Sequence, residues 1–254
     1  MHKPVVTSRY IGKSLEKLHA TDSTNSQLWA LANASLQEGF VLLADYQSQG
    51  RGQAGAGWFS DEGENLLLSV YLKPSFQPAQ HHFQLNMALC LGVADFCRLY
   101  LGEGVKVKWP NDIYYHNRKL AGLLIENSLQ SGQIAETVVG IGININQAYF
   151  PSSIPNPTSF QLVTARYYRL DELLDPLFGS LERRYEQLRN RQSAVLIADY
   201  HQQLLGRDES RRYQLQGREL QAVLRGVDAD GRLLLDGPDG RLVMNHKEIQ
   251  FRFV

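Results

Sequence analysis

The sequence predicts an α+β protein: a mixed β-sheet with helices packed on it, followed by a small β-barrel. Residues 1–205 interleave apolar, strand-like runs with long helical stripes and lack strict β–α–β alternation, which favours this class. After Gly206 the pattern changes to short strands separated by turns. A chain of 254 residues with 43% hydrophobic residues is long enough to bury both cores. We therefore predict one domain over residues 1–205 and a second over residues 206–254.

The first predicted elements are a helix and two buried strands. Thr21–Asn25 is rich in N-cap residues, and apolar residues follow it at helical spacing. These are Leu28, Leu31, Ala32 and Leu36. Phe40–Gln47 and Asn65–Leu72 are largely apolar runs typical of buried strands. The glycine-rich segment between them shows no helical pattern, so we predict a loop there.

A long apolar helix and a group of strands occupy the middle of the chain. The helix is predicted over Gln80–Leu101. Strands are predicted at Val105–Trp109, Ile113–Tyr115, Leu120–Asn127 and Gln133–Asn146. Gln147–Arg166 contains three prolines and is predicted to be an ordered surface loop. An apolar stripe over Leu170–Leu188 predicts a second long helix, in which Pro176 marks either a kink or a late start.

The C-terminal region alternates short β-like runs with turns. The runs are Tyr213–Leu215, Leu220–Val227, Arg232–Leu235, Leu242–Met244 and Ile249–Phe253. Asp230-Gly231 and Asp239-Gly240 are hairpin signals. Short strands in this number predict a small barrel appended to the main domain.

Composition and charge exclude several classes of protein. The formal net charge of +0 argues against a dedicated nucleic-acid binder, because no basic excess is available to pair with phosphates. Met1–Arg9 lacks the apolar run of a signal peptide, and the chain has no stretch of about 18 apolar residues that would span a membrane. We therefore expect a cytoplasmic protein without nucleic-acid or membrane partners.

The two cysteines are predicted to be core residues. Cys90 and Cys97 lie seven positions apart in an apolar stretch, where helical spacing places them on one face. Two helical turns separate their Cα atoms too far for a disulfide. No Cys-x-x-Cys or paired histidine motif accompanies them, which argues against a metal site.

The loop after the strand at Phe40–Gln47 carries a glycine pattern. Gly50–Gly55 formally matches G-x-G-x-x-G, but the dinucleotide fingerprint needs a helix to begin within the motif, and none is predicted here. Four glycines in eight residues, with Arg51 among them, can instead bring backbone N–H groups and a guanidinium close to an anion. The alternative interpretation is a flexible surface loop.

A second motif lies at the exit of a predicted strand. Lys108-Trp109-Pro110-Asn111-Asp112 is followed by Arg118-Lys119-Leu120-Ala121-Gly122. Trp-Pro rigidifies the exit, and Asn-Asp either caps the turn or holds a metal-bound water. By itself the motif is more typical of a hairpin with surface lysines.

The order of the motifs resembles the catalytic domain of biotin–protein ligases. The order is Ser23-Thr24-Asn25, Tyr46-Gln47, Gly50-Arg51-Gly52, the Lys108 and Arg118 motifs, and Gly140-Ile141-Gly142-Ile143-Asn144. The likeness covers roughly residues 17–205. It implies a fold like that of class II aminoacyl-tRNA synthetases, with an SH3-like domain at the C-terminal end. It also implies an enzyme that forms biotinyl-5'-AMP from biotin and ATP and transfers biotin to a lysine of a biotin carboxyl carrier protein.

The resemblance implies a role for each matching position. Arg51, Lys108 and Lys119 are the implied catalytic cations. Biotin and biotinyl-AMP are expected at Ser23, Thr24, Asn25, Gln47, Gly50, Arg51, Gly52, Gln53 and Lys119. The nucleotide is expected near Trp58, Asn111 and Asn144. Asp112 is the implied ligand of Mg²⁺. Three assignments have local alternatives: the Ser23–Asn25 cluster also suits a helix cap, Asn144 a strand-end turn and Trp58 a core position.

Two departures from the family and two rival functions stay open. The loop has Gln53, Ala54 and Ala56 where the family often has basic residues, which predicts looser retention of biotinyl-AMP. About 20 residues precede the catalytic region, too few for a helix-turn-helix domain, so we expect no direct DNA binding. The rivals are a lipoate–protein ligase or acyltransferase and a non-catalytic biotin sensor. Related enzymes pair through the sheet edge, so the resemblance is also compatible with a homodimer.

Overall fold

The computed structural model describes residues 8–33 and 35–253, which form two β-sheets and five α-helices. The larger sheet has seven strands in the order β1-β2-β3-β7-β6-β5-β4. The strands are β1 (Leu15–Thr21), β2 (Val41–Gln47), β3 (Leu66–Leu72), β4 (Val105–Lys108), β5 (Asp112–Tyr115), β6 (Arg118–Gln130) and β7 (Gln133–Ile143). β1 and β2 are parallel and the other neighbours are antiparallel, so the predicted mixed sheet is confirmed.

The helices pack on both faces of this sheet. They are α1 (Thr24–Leu31), α2 (His82–Leu101), α3 (Phe160–Thr164), α4 (Leu170–Arg189) and α5 (Ser193–Gln203). On one face α2 and α4 cover a large apolar core to which alternate residues of β3 and β7 contribute. On the other face Leu28 of α1 packs with Leu42, Tyr71 and Val138 in a smaller cluster. The rest of that face carries Ser69, Glu126 and several glycines together with Leu67 and Leu124.

The C-terminal strands form a second, antiparallel sheet. Its order is β11-β10-β9-β8-β12. The strands are β8 (Ser210–Leu215), β9 (Arg218–Val227), β10 (Leu233–Gly237), β11 (Gly240–Met244) and β12 (Ile249–Phe251). The indole N–H of Trp109 donates to the carbonyl of Gly231 at 2.8 Å, which links the two sheets. The second sheet agrees with the predicted small β domain, whereas the boundary at residues 205 and 206 stays a prediction.

Several predicted bounds are wrong for identifiable reasons. The first helix ends at Leu31, and Leu36 reaches the smaller core from the turn that follows. Segment 147–166 contains α3, because Ser159 caps a helix whose Phe160 is buried. The predicted helix over Leu170–Leu188 is confirmed as α4, and because Pro176 lies inside it, the late start is excluded.

Two elements were not foreseen. β1 is an edge strand with mostly exposed side chains, and α5 buries only Leu196 and Tyr200, so neither has a strong apolar period.

Helix α2 supplies much of the core. Residues Ala79–Gly104 are long and apolar enough to cross a membrane by length and composition, but 61% of the apolar window is buried in this fold. Cys90 and Cys97 are free and fully buried within α2, as predicted. Burial raises the pKa of both thiols, which keeps them protonated and unreactive.

Candidate active site

A cavity of about 690 Å³ lies between the face of the seven-stranded sheet that carries α1 and the C-terminal sheet. Its size is typical of a pocket for a small organic ligand. Most of the predicted site residues line it: Ser23, Thr24, Asn25, Gln47, Arg51, Gly52, Gln53, Trp58, Lys108, Asn111, Asp112 and Lys119. The fold therefore gathers side chains from five separate sequence motifs into one space.

One end of the cavity is a cluster of buried hydroxyls and amides. Ser23 is the N-cap of α1 and accepts from the N–H of Ser26, so the capping interpretation and the site interpretation hold together. The N–H and the hydroxyl of Thr24 both donate to Oε1 of Gln47, at 2.8 and 3.1 Å. The hydroxyl of Ser69 on β3 lies 2.7 Å from Oγ1 of Thr24. These contacts fix the orientation of the amide and hydroxyl groups before any ligand binds.

Glycine and isoleucine alternate in the Gly140–Asn144 motif because it lies on strand β7, whose side chains point alternately to the two faces of the sheet. Its isoleucines at positions 141 and 143 face the core, and its glycines at 140 and 142 face the cavity. A Cβ on Gly140 would lie 2.3 Å from Oδ1 of Asn25, and one on Gly142 would lie 2.4 Å from Cε2 of Trp58. Neither glycine has a positive φ, so the requirement is for space rather than for backbone freedom. The glycines let Asn25 and Trp58 lie directly against the sheet.

Trp58 connects the glycine-rich loop with Lys119. The backbone N–H of Trp58 donates to the carbonyl of Gly50 at 2.8 Å, and Nζ of Lys119 lies 5.6 Å from the centroid of the Trp58 ring. Within the part of the chain that the structure describes, its buried indole N–H has no hydrogen-bond partner. A buried donor left unpaired is costly, so this N–H is available to an acceptor atom of a ligand.

The other end of the cavity carries two lysines around one carboxylate. Nζ of Lys119 lies 2.7 Å from Oδ1 of Asp112, and Nζ of Lys108 lies 3.6 Å from Oδ2. Nζ of Lys108 also lies 5.0 Å from the ring centroid of Phe251, a residue of the C-terminal sheet. Burial lowers the pKa of Lys108, while Asp112 opposes that effect. Two cations and one anion leave a net positive charge, which suits phosphate or carboxylate oxygens.

The residues around Asp112 do not by themselves make a metal site. Over residues 8–33 and 35–253, no group of three or more His, Cys, Asp or Glu side chains is placed to hold a metal ion. Asp112 already has two ammonium partners, which repel a cation. Mg²⁺ is held by carboxylates together with substrate phosphates, so Asp112 as its ligand stays a prediction that needs a phosphate donor.

The glycine-rich loop is a closed turn with a paired cation. Arg51 and Gly57 form an isolated β-bridge, and Gln53–Gly55 is one turn of 3-10 helix. Nη2 of Arg51 lies 2.7 Å from Oε1 of Glu126 on β6. The arginine therefore has a carboxylate partner that the sequence did not reveal. The loop contains no α-helix, which confirms that it is not a dinucleotide fingerprint.

The model of the biotin/lipoate A/B protein ligase family matches residues 18–144. The chain belongs to this family. A biotin–[acetyl-CoA-carboxylase] ligase of Mycobacterium tuberculosis is 32% identical over 88% of this chain and 84% of its own length. One of Paracoccus denitrificans is 30% identical over 92% of this chain and 99% of its own length.

Among solved structures, a biotin protein ligase from Aquifex aeolicus in complex with biotin and ATP has a TM-score of 0.78 and 26% sequence identity. The match covers 95% of this chain and 100% of the Aquifex chain. The family, fold and enzyme class expected from the sequence, those of the biotin ligases, are thereby confirmed.

Three of the predicted site residues make contacts that hold parts of the fold together. Gly50 and Asn144 do not line the cavity. A Cβ on Gly50 would lie 2.6 Å from the carbonyl oxygen of Trp58, so this glycine allows the two arms of the loop to approach. Nδ2 of Asn144 donates to the carbonyl of Thr158 at 2.9 Å, which ties segment 156–160 to the sheet. Asn111 lines the cavity, but its amide donates to the carbonyl of Leu123.

Sequence reasoning missed several residues that line the cavity or contact the residues lining it. Ser69 is a hydroxyl residue within the apolar strand β3, and that contrast is a signal that was available. Glu126 begins the polar half of β6, so it carries no such signal. His246, Lys247 and Arg252 line the cavity from the C-terminal sheet. They carry no local motif, and only the packing of the second sheet on the first brings them to the site.

Proposed function

We propose that this ligase joins biotin to ATP and then transfers biotin to a lysine of a biotin carboxyl carrier protein. The observation that carries the proposal is one cavity with a buried amide and hydroxyl cluster at one end and a net positive lysine cluster at the other. Biotin has the matching polarity, with a neutral ureido ring at one end and a carboxylate at the other. The Aquifex relative, which matches the chain throughout, was solved with biotin and ATP.

The neutral ring of biotin suits the cluster around Thr24. Hydroxyls and amides both donate and accept, as a ureido group requires. Gln47 and Asn25 are held by hydrogen bonds to Thr24, Ser69 and Glu126, so binding costs little side-chain entropy. The apolar part of the ligand meets Trp109 and Leu123, which also line the cavity.

In the first step, a carboxylate oxygen of biotin attacks the α-phosphorus of ATP. The bond from that phosphorus to the bridging oxygen breaks, and pyrophosphate leaves with its electron pair. Two anions must approach each other, and fixed cations reduce that repulsion in the transition state. We assign this work to Arg51, Lys108 and Lys119. Mg²⁺ enters as part of the substrate, bound to the phosphates of ATP.

In the second step, the neutral amine of the carrier lysine attacks the acyl carbon of biotinyl-AMP. An amide bond forms, the bond to the phosphate oxygen breaks, AMP leaves, and the nitrogen releases its proton to solvent. The same cations stabilise the charge that develops on the departing phosphate. A cytoplasmic location, the absence of nucleic-acid and membrane partners, and a homodimer stay predictions.

The proposal is tested by mass spectrometry of a carrier domain. The protein is incubated with biotin, Mg·ATP and the carrier, and we expect the carrier to gain one biotinyl group while pyrophosphate is released. Omitting ATP, or replacing Lys119 with Ala, serves as the control. Pyrophosphate release with lipoate but not with biotin would identify a lipoate ligase. Binding of biotin without any modified carrier would identify a sensor.

A further inference from the structure

Glu126 is an acidic side chain next to the cavity that the reaction outlined above does not use. It lies on β6, after the apolar segment Leu123–Ile125, and its side chain is 28% exposed. Its two oxygens have different partners. Oε1 accepts from Nη2 of Arg51 at 2.7 Å, and Oε2 accepts from Nδ2 of Asn25 at 2.9 Å. One carboxylate therefore holds a cation of the loop and an amide of helix α1.

The Asn25 contact extends into the amide and hydroxyl cluster. Oδ1 of Asn25 accepts from the hydroxyl of Ser69 at 2.6 Å, and Ser69 is fully buried. Ser69 in turn lies within hydrogen-bond distance of Thr24, which is bound to Gln47. A line of hydrogen bonds thus runs from the arginine of the loop through Glu126 and Asn25 to Ser69, whose oxygen lies 2.7 Å from Oγ1 of Thr24. Such a network is rigid when every member has its partner.

The position of Glu126 relative to the cavity indicates its role. Arg51 lines the cavity, whereas Glu126 does not. The second contact of the guanidinium, from Nη1 to Oγ of Ser26 at 3.1 Å, is also with a residue that does not line it. A guanidinium has more N–H donors than these two contacts use. The contacts with Glu126 and Ser26 therefore hold the guanidinium from the side away from the ligand space.

We propose that Glu126 is a positioning residue for the ligase reaction: it holds Arg51 in place for the ligand's carboxylate and phosphate and couples that placement to Asn25. This inference rests on the proposed function. Charge-assisted hydrogen bonds are the strong ones, and preorganised donors are the effective ones in catalysis. A competing arrangement, in which Glu126 blocks Arg51 until an anionic ligand displaces it, predicts the opposite effect of neutralising the carboxylate.

The test is the variant Glu126→Gln, assayed in the full chain by biotin-dependent pyrophosphate release. Gln keeps an oxygen that can accept from Asn25 but loses the negative charge that holds Arg51. We expect KM for biotin to rise about tenfold or more, by the usual strength of a hydrogen bond to a charged group, with Tm close to that of the wild type. Glu136→Gln is the matched control, because Glu136 lies on the adjacent strand and accepts from Tyr71 away from the cavity. It should leave KM unchanged.

A second background separates positioning from a general structural effect. If Glu126 acts through Arg51, then adding Glu126→Gln to Arg51→Ala should change KM by less than about twofold. An equal loss in both backgrounds, an unchanged KM, or a lowered KM that indicates release of a blocked arginine would each overturn the inference. A wild-type protein without biotin-dependent pyrophosphate release would instead reject the proposed function.

Discussion

Replacing Gly142 by Ala should weaken ATP binding through Trp58. Ala is compatible with the extended backbone at this position, because Gly142 does not have a positive φ. Its Cβ, however, would lie 2.4 Å from Cε2 and 2.7 Å from Cζ2 of the Trp58 ring. Carbon atoms pack at about 3.5–4.0 Å, so the ring must move by more than about 1 Å.

The expected size of this effect follows from the cost of overpacking. Inserting a methyl group into a packed contact costs about 1–3 kcal/mol, which corresponds to roughly 5- to 150-fold in an equilibrium constant. Trp58 lies on a loop, so the cost should appear as a higher KM for ATP rather than as a loss of Tm. Steady-state pyrophosphate release at varied ATP concentration measures KM, and thermal unfolding measures Tm.

Two further variants test whether the Trp58 ring causes the higher KM for ATP of Gly142→Ala. In a Trp58→Ala background the obstructing ring is absent, so Gly142→Ala should raise KM by less than about twofold more. Gly140→Ala on the same strand meets Asn25 instead, and should raise KM for biotin rather than for ATP. An equal loss from Gly142→Ala in both backgrounds would refute the reasoning, as would a variant as active as the wild type.

Three other perturbations test separate parts of the molecule. Lys119→Ala should lower kcat for pyrophosphate release by about 10²–10³, because it removes a preorganised cation from the transition state. Gln53→Arg should slow the release of biotinyl-AMP about tenfold in a trapping assay, since it restores a charge to a loop poor in cations. Below the ordinary histidine pKa of about 6.5 the wild type should lose stability. Burial lowers the pKa of His201, whose Nε2 accepts from the N–H of Val227 at 3.1 Å, so protonation favours the unfolded chain. His201→Asn should therefore show a smaller difference in Tm than the wild type between about pH 7.5 and about pH 5.5, two values on either side of that pKa.

The Lys119 and His201 variants have controls in the same chain. Lys17→Ala removes a surface lysine that pairs with Asp45, and should keep kcat unchanged. A wild type that already releases its intermediate slowly would contradict the charge argument for Gln53. His19→Asn is the matched substitution at a histidine whose side chain is 80% exposed, and its difference in Tm between the two pH values is compared with that of His201→Asn. A His201 variant with an unaltered pH dependence would show that this histidine does not control the acid sensitivity.

Sequence patterns predicted those parts of the fold that depend on local periodicity. The long apolar run of α2, the stripe of α4 and the buried strands all have a strong period, and they lie where expected. α5 and the edge strand β1 were missed because packing against their neighbours, rather than their own pattern, stabilises them. The same limit applies to segment 147–166, where a single buried residue, Phe160, anchors a five-residue helix.

The site was predictable as a set of residues but not as a set of contacts. The order of the motifs in the sequence predicted Lys108, Asp112 and Lys119 as site residues, and the fold places their charged groups together. The partner of Arg51 is 75 residues away in the sequence, and no spacing rule connects it to Glu126. Long-range pairing of this kind depends on the register of the sheet, which local patterns do not specify.

The alternation along β7 also determines how this strand can change. Substitutions at residues 139 and 143 act on the core, and substitutions at 140 and 142 act on the cavity, whereas Ile141 packs in the core and also borders the cavity. Point changes at residue 139 or 143 can therefore alter stability, and point changes at residue 140 or 142 can alter ligand preference, within one strand. An insertion or deletion of one residue would exchange the two sets, placing isoleucine side chains in the ligand space and glycine in the core. The length of this strand thus determines which of its side chains reach the ligand space.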